Sequence, residues 1–153
     1  MRILIDADGC PVVDSAVKLA IKYKLECIIF CDTAHFIERP GARVVIVPTG
    51  AESVDFKLVN ELLAGDIVIT QDYGLAAMSL AKKAVPVSQN GLVFTNENID
   101  SLLHARHTAR NIRRSGGRLK GPKKRTSEQD KAFVETMHKL IQADAQADSG
   151  RNG

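Results

Sequence analysis

The sequence predicts an α/β fold of three layers, with a mostly parallel central sheet, helices on both faces and further C-terminal helices. Short runs rich in Val and Ile recur along the chain, which is typical of strands buried on both faces. Amphipathic segments with helical spacing separate these runs, and a strand, helix, strand order builds parallel sheets through right-handed crossovers. At 153 residues the chain is long enough for one core of ordinary size.

The first strand covers residues 2–5 and stops at two carboxylates, Asp6 and Asp8. Gly9 permits a sharp turn after them. Pro11 suits the first turn of a helix, because its φ is fixed and it has no N–H to leave unpaired. We therefore expect a helix to begin close to Pro11, with the two acids in the loop before it.

The same alternation continues through the middle of the chain. Residues 11–24 place their apolar side chains on one face at helical spacing. The β-branched runs at 25–31 and 43–47 predict two more strands. A second helix is expected between Ser53, a good N-cap, and Gly65, a residue type that often follows the last turn of a helix.

The remaining elements are predicted from the same two patterns. Residues 66–70 and 84–87 are short apolar runs and predict strands, with a helix rich in Ala and Leu over 73–83 between them. A further helix is expected to begin near residues 96–98 and to end near residue 114. The last helix begins at residues 126–127, where Thr and Ser suit a helix start.

We divide the chain into three parts. Residues 1–114 are expected to form the α/β domain. Residues 115–143 are expected to be a basic linker and a C-terminal helix that packs on the same domain. Residues 144–153 are polar and are expected to be a disordered tail.

Charge is distributed unevenly along the chain, whose formal net charge is +3. Residues 1–103 carry 9 basic and 13 acidic side chains, a net of −4, and residues 104–153 carry 12 basic and 5 acidic ones, a net of +7. Residues 104–125 contain no acid at all. This asymmetry favours a polyanionic partner such as nucleic acid, and a solvated basic tail without a partner is the alternative. The candidate backbone-binding residues are Arg110, Arg113, Arg114, Lys120, Lys123 and Lys124.

Composition also limits the location of the protein. No apolar run approaches the roughly 20 residues that span a membrane, and no signal-peptide pattern is present, so we expect a cytoplasmic protein without a membrane segment. The three cysteines form no C-x-x-C pair and no cluster with zinc spacing. We expect reduced thiols.

Four acids are expected to converge at one edge of the sheet. Asp6 and Asp8 follow the first strand, Asp72 follows the fourth, and Asp55 lies near the start of the helix between the third and fourth strands. Ligands of open parallel sheets bind beyond the carboxyl ends of the strands. Carboxylates gathered there would bind Mg²⁺ or Mn²⁺. The alternative is that these acids only cap helices or interact with helix dipoles.

Several segments together resemble one family. They are IDADGCPV, GDIVITQDYGLA, HAR, RRSGG and KGPK, and the resemblance to the uncharacterised YaiI/YqxD family of bacterial proteins extends from residue 1 to about 141. It implies a PIN-like fold, whose relatives are mostly metal-dependent nucleases. On that pattern Asp6, Asp55 and Asp72 match the PIN acids. Two positions differ: Asp55 stands where PIN proteins more often have Glu, and Gly9 stands where the family has Ala.

The function expected from these features is hydrolysis of nucleic acid, with RNA as the expected substrate, by a ribonuclease-like enzyme that uses Mg²⁺ or Mn²⁺. The four acids would be both its catalytic and its metal-binding residues. A nucleic-acid-binding protein without catalysis is the first alternative.

Two further chemistries and three histidines stay open at this stage. A phosphatase of the haloacid-dehalogenase type would use Asp6 as nucleophile, but its Gly-Asp motif should follow a strand, and residues 65–66 precede one. Cys10 near a helix start would be a nucleophile only with a lowered pKa. The sequence assigns no role to His35, His104 or His107.

Overall fold

The computed structural model describes residues 1–49, 53–114, 116 and 124–151, and for residues 106–114 it describes the helical backbone alone. Strands and helices alternate along this part of the chain. The strands are β1 (Ile3–Asp6), β2 (Cys27–Asp32), β3 (Arg43–Val47), β4 (Ile67–Ile69) and β5 (Val85–Val87). The helices are α1 (Val13–Tyr23), α2 (Val54–Glu61), α3 (Tyr73–Ala81), α4 (Asn96–Arg114) and α5 (Ser127–Arg151), and a turn of 3₁₀ helix, Thr33–His35, follows β2.

The strands form one sheet in the order β3-β2-β1-β4-β5, and every neighbouring pair is parallel. β1 lies at the centre, where Ile3 pairs with Cys27 on one side and with Ile67 on the other. The α/β class and the parallel sheet predicted from the sequence are therefore confirmed. Because all the strands run the same way, their carboxyl ends meet at one edge of the sheet.

Helices cover both faces of the sheet, as the sequence predicted. Side chains alternate between the two faces along a strand. Ile3 and Ile5 of β1 pack in the same cluster as residues of α1 and α5, whereas Leu4 packs with residues of α2 and α3. α4 lies outside this arrangement and packs on α3, where Ile99 and Ala76 share a small cluster. None of the helices in the described ranges has the length and hydropathy needed to cross a lipid bilayer.

The C-terminal helix is longer than the sequence predicted. α5 packs on the core through Phe133, Met137 and Ile141 and continues to Arg151, so residues 144–151 are helical rather than a disordered tail. Those residues are almost all exposed, and no core contact demands a helix there. Ala and Gln are good helix formers, and no Pro interrupts the segment, so an established helix can extend through it.

An ion pair between Arg2 and Asp66 lies at the amino end of the sheet, opposite the edge at which Asp6 ends β1. The guanidinium of Arg2 donates to Asp66, with Nη2 2.6 Å from Oδ2, and also donates to the backbone carbonyl of Glu61. Asp66 is almost fully buried and also accepts from the backbone N–H groups of Arg2 and Leu63. These hydrogen bonds join neighbouring segments of the fold, so we assign Asp66 a structural role.

Candidate functional site

Asp6 ends the central strand and is mostly buried. Its Oδ2 accepts a hydrogen bond of 2.9 Å from the hydroxyl of Thr70, which follows β4. Burial raises the pKa of Asp6, the Thr70 hydrogen bond opposes that rise, and the charges of Asp72 and Asp8 add to it. The carboxylate is therefore held in one place by Thr70 in an environment that disfavours its charge.

Asp72 is the N-cap of α3. Its Oδ1 accepts from the backbone N–H groups of Gly74 and Leu75, at 2.8 and 3.1 Å. Its own backbone N–H donates to the Thr70 hydroxyl at 3.0 Å, so Thr70 joins Asp6 to Asp72. The capping interpretation of Asp72 is thus correct, but capping fixes the side chain beside Asp6 and does not remove it from the site.

Asp55 lies in the first turn of α2, after the N-cap Ser53, whose hydroxyl accepts from the N–H of Phe56. A helix N-terminus on its own would favour the charged form of this carboxyl. Instead, burial and the charges of Asp72 and Asp6 raise the pKa of Asp55 to about 6. The neighbouring acids and the partial burial therefore outweigh the helix dipole at this position.

Asp8 lies in the turn between β1 and α1, with its side chain 67% exposed. Gly9 makes this turn with a φ of +64°, a conformation that residues with a side chain rarely adopt. The N-cap of α1 is Val12, and no side chain accepts a capping hydrogen bond there. The interpretation that Asp6 or Asp8 only caps this helix is therefore wrong.

A histidine and a further acid stand beside Asp8. Nδ1 of His35 lies 2.9 Å from Oδ1 of Asp32, and its Nε2 lies 4.0 Å from Oδ1 of Asp8. The hydrogen bond from His35 lowers the pKa of Asp32, and the same bond raises the pKa of His35. The pair lies at the carboxyl end of β2, next to the end of β1.

One open cavity of about 540 Å³ gathers these groups. All four acids predicted from the sequence line it, and Asp32 adds a fifth carboxylate. Among the described residues of its lining, none is Lys, Arg or His. The cavity is therefore strongly acidic. Its lining residues are Asp6, Asp8, Asp32, Val54, Asp55, Gln71, Asp72 and Tyr73.

The donor chemistry of this cavity fits a hard divalent cation. Carboxylate oxygens are the ligands that Mg²⁺ and Mn²⁺ prefer, and a cation would relieve the repulsion between the acids. In the part of the chain that the structure describes, however, no three His, Cys, Asp or Glu side chains are grouped closely enough to hold a metal ion. Metal binding by the four acids stays a prediction.

Comparison with known proteins identifies the family. The family described as "Uncharacterized BCR, YaiI/YqxD family" matches residues 4–143. The chain belongs to this family. The resemblance seen in the sequence is thereby confirmed, whereas the likeness to PIN proteins stays a prediction, and no solved structure matches the chain.

Bacterial relatives in the family match almost the whole chain. It is 54% identical over 141 residues to the UPF0178 protein of Exiguobacterium sibiricum, which covers 92% of this chain and 96% of that protein. It is 43% identical over 143 residues to the UPF0178 protein of Clostridium acetobutylicum, which covers 92% and 97%. The UPF0178 protein of Ruminiclostridium cellulolyticum is 44% identical over 146 residues, which covers 95% of each chain.

Most of the predicted nucleic-acid-binding side chains lie outside the described residues. Arg110, Arg113 and Arg114 belong to the backbone of α4, and their side chains lie outside the described part of the chain. Lys120 and Lys123 lie outside it entirely, and Lys124 is exposed. His104 is also exposed, and the side chain of His107 is not described. The proposed contact with nucleic acid stays a prediction.

Arg125 shows where the end of the basic segment attaches. Its guanidinium donates to the Asn90 side chain at 2.7 Å, to the Gln89 carbonyl at 2.8 Å and to Asp130 at 2.7 Å. Gln89 and Asn90 follow β5, so these bonds hold Arg125 at the same edge of the sheet as the acids. Its neighbour Lys124 lies at that edge as well.

Two alternative chemistries find little support in the geometry. Burial raises the pKa of Cys10, the opposite of the change that activates a thiol nucleophile. Asp66, the acid of the Gly-Asp pair, lies at the amino end of β4 and is bound to Arg2, far along the strand from the cavity edge. A phosphatase of the haloacid-dehalogenase type would need that acid at the carboxyl end.

Two residues of the site were not among the predicted acids. Asp32 ends β2 in the way that Asp6 ends β1, so its position at a strand's carboxyl end in a parallel sheet was a sufficient signal for it. No pattern in the sequence indicated a role for Thr70 in holding the acids. Its role is to bond Asp6 and the backbone of Asp72 at once, which depends on the spacing of two strands in the folded sheet.

Proposed function

We propose that this protein is a metal-dependent phosphodiesterase that acts on nucleic acid, with RNA as the expected substrate. One observation carries the proposal: five carboxylates from different loops line a single open cavity at the carboxyl edge of a parallel sheet. Fold stability gains nothing from gathering like charges, so the arrangement calls for a functional reason. Binding of a cation and a phosphate would be such a functional reason.

The acids explain why a cation is part of the proposal. A phosphodiester is an anion, and a cavity lined by five carboxylates repels it. Asp6, Asp8, Asp55 and Asp72 would hold Mg²⁺ or Mn²⁺ after drawing closer together than they lie in the described structure. The cation would neutralise the phosphate charge and lower the pKa of a bound water. Proton release would accompany cation binding, because a carboxyl with a pKa of about 6, as in Asp55, gives up its proton when it becomes a ligand.

The residues around the acids serve to hold them in position. Thr70 fixes Asp6, and the first N–H groups of α3 fix Asp72, so neither carboxylate needs to be ordered when a ligand arrives. Fixed polar groups of this kind lower the cost of reaching a reactive geometry. Asp8 is exposed at the mouth of the site and is the acid best placed to adjust its position.

The basic segment supplies the second half of the proposal. Residues 104–125 carry nine positive charges and no acid, and they would attract a polyanionic strand over a distance of about one Debye length, roughly 8 Å at physiological salt. Arg125 attaches the end of this segment to the loop after β5, at the edge where the acids lie. A strand bound along the segment would thus pass close to the cavity.

The test is a cleavage assay with two variants that keep local structure. Asn accepts the hydrogen bonds of a helix cap as Asp does, so Asp72→Asn retains the α3 cap, and Asp6→Asn can still accept from Thr70. We expect the wild type to cut labelled single-stranded or duplex RNA or DNA in Mg²⁺ or Mn²⁺, and both variants to lose most of that activity.

The matched control is Asp14→Asn, which removes one exposed acid that does not line the cavity. It should cut as fast as the wild type. If no substrate is cut, or if Asp6→Asn and Asp72→Asn cut at the wild-type rate, catalysis is excluded and a non-catalytic nucleic-acid-binding role becomes the better explanation.

A further inference from the structure

The phenylalanines of this chain fall into two distinct groups. Of the five, Phe30, Phe94 and Phe133 are at most 1% exposed and belong to the core. Phe36 and Phe56 are 53% and 60% exposed. Keeping a phenylalanine in water forfeits the stabilisation that burial would give, so two highly exposed ones next to a candidate site call for an explanation.

One exposed phenylalanine is next in sequence to a lining residue of the acidic cavity, and the other is next to a histidine that contacts a lining residue. Phe56 directly follows Asp55 in the first turn of α2. Phe36 directly follows His35, whose ring contacts Asp32 and approaches Asp8. A third aromatic residue, Tyr73, lines the cavity itself and packs edge-on against Phe94 with 5.8 Å between ring centroids.

The segment that presents Phe36 is held by specific hydrogen bonds. Oδ1 of Asp32 accepts from the backbone N–H of His35 at 2.8 Å, which closes the 3₁₀ turn just before Phe36. The hydroxyls of Thr33 and Thr49 lie 2.6 Å apart and tie this turn to the end of the β3 segment. A side chain on an anchored turn offers a binding surface with little entropy left to lose.

We propose that Phe36 and Phe56 stack on unpaired bases of the strand whose phosphate lies at the cavity, and that they thereby select single-stranded nucleic acid. This rests on the proposed function. Close to five carboxylates, the backbone phosphates gain little from direct charge contacts, whereas an aromatic ring binds a base through its uncharged face. In a duplex the base faces are stacked on one another and are not free to bind a side chain.

The test compares two probes that differ only in their bases. One is a hydrolysis-resistant 2′-O-methyl oligouridine of about 12 nucleotides, and the other is an abasic strand of the same length. Binding to the full chain is measured by fluorescence anisotropy in Mg²⁺. We expect Phe36→Ala and Phe56→Ala each to weaken oligouridine binding by roughly tenfold and to leave binding of the abasic strand unchanged.

Leu63→Ala is the matched control, because Leu63 is also 60% exposed but lies beside Asp66 at the opposite edge of the sheet. It should leave both affinities unchanged. Thermal melting of each variant checks the fold, and truncating exposed side chains should not disturb it.

The proposal is overturned if the two Phe variants bind oligouridine as the wild type does, or if they weaken both strands equally. It is also overturned if the wild type binds neither strand, or if the phenylalanines mediate self-association instead. Because the probe is not cut, a failed cleavage assay together with the predicted affinity changes would refute only the proposed catalysis. Cleavage without any effect of Phe36→Ala or Phe56→Ala would refute only the stacking.

Discussion

Replacing Asp55 with Asn should stabilise the protein above neutral pH. The pKa of Asp55 rises from 3.8 to about 6 in the folded chain, first through burial and then through the charges of Asp72 and Asp6. Folding therefore favours the protonated form, and the ionised form carries a cost. This cost is absent below about pH 4, grows as the pH rises toward 6 and is complete above that value. Asn cannot ionise, and it can donate a hydrogen bond to Asp72 as a protonated carboxyl would.

The expected gain in the free energy of unfolding follows from the same shift. A change of about two pKa units corresponds to about 3 kcal/mol, at 1.36 kcal/mol per unit. Asp55 is only partly buried, so solvent screening reduces this figure, and we expect about 1–1.5 kcal/mol. In a chain of this size, such a gain raises the melting temperature by about 2–5 °C.

Urea unfolding of the wild type and Asp55→Asn at about pH 8 and about pH 4 measures the effect. The variant should be more stable at the higher pH, and most of the difference should vanish at the lower one. Asp8→Asn removes the same charge from the same cavity at a much more exposed position, so its gain should be smaller. An Asp55→Asn variant that is no more stable than the wild type at pH 8, or equally stabilised at both values, would refute the reasoning.

Three further perturbations test other parts of the structure. Asp66→Ala leaves the guanidinium of Arg2 without its buried partner and should cost about 3–5 kcal/mol in urea unfolding; a cost below about 1 kcal/mol would contradict a structural role for the pair. Thr70→Val removes the hydrogen bonds to Asp6 and to the Asp72 backbone and should cost about 1–3 kcal/mol, and unchanged stability would show that neither bond matters. Replacing four basic residues with Ala should reduce the slope of log affinity against log salt for a single strand by about 3, whereas an unchanged slope would leave the segment as a solvated surface. These four are Arg113, Arg114, Lys123 and Lys124.

The fold was predictable because its signals are local. The apolar runs at Ile3–Asp6 and Arg43–Val47 are short and rich in β-branched residues, which predicts strands. The first is buried at the centre of the sheet, whereas the second is a partly exposed edge strand, which the local pattern does not distinguish. Ser53 caps α2 as expected, since its hydroxyl needs only the N–H three residues later. Parallel order followed from the alternation of strands and helices.

The convergence of the acids was predictable for a different reason. In a parallel sheet the carboxyl ends of the strands share one edge, so Asp6 and Asp72 had to be neighbours once their strands were adjacent. The altered pKa of Asp55 was not predictable, because it depends on burial and on distances between side chains from separate elements. The bridging role of Thr70 depends on the same kind of information.

The last residues of α5 were predicted wrongly because the prediction considered only whether they could be buried. The polar composition of residues 144–151 predicted disorder, because nothing there could pack on a core. α5 nevertheless extends through them to Arg151. Helix continuation requires only good backbone propensity once earlier turns are anchored, here by Phe133 and Met137.

The most direct test of the account is a calorimetric titration of Mn²⁺ into the wild type and into the double variant Asp6→Asn with Asp72→Asn. The control double variant, Asp14→Asn with Asp100→Asn, loses the same two charges at exposed positions that do not line the cavity. We predict that the wild type and the control bind Mn²⁺ with the same affinity and that the cavity variant binds at least about tenfold more weakly. Equal affinity in all three proteins would contradict a metal site among the acids, and with it the proposed catalysis.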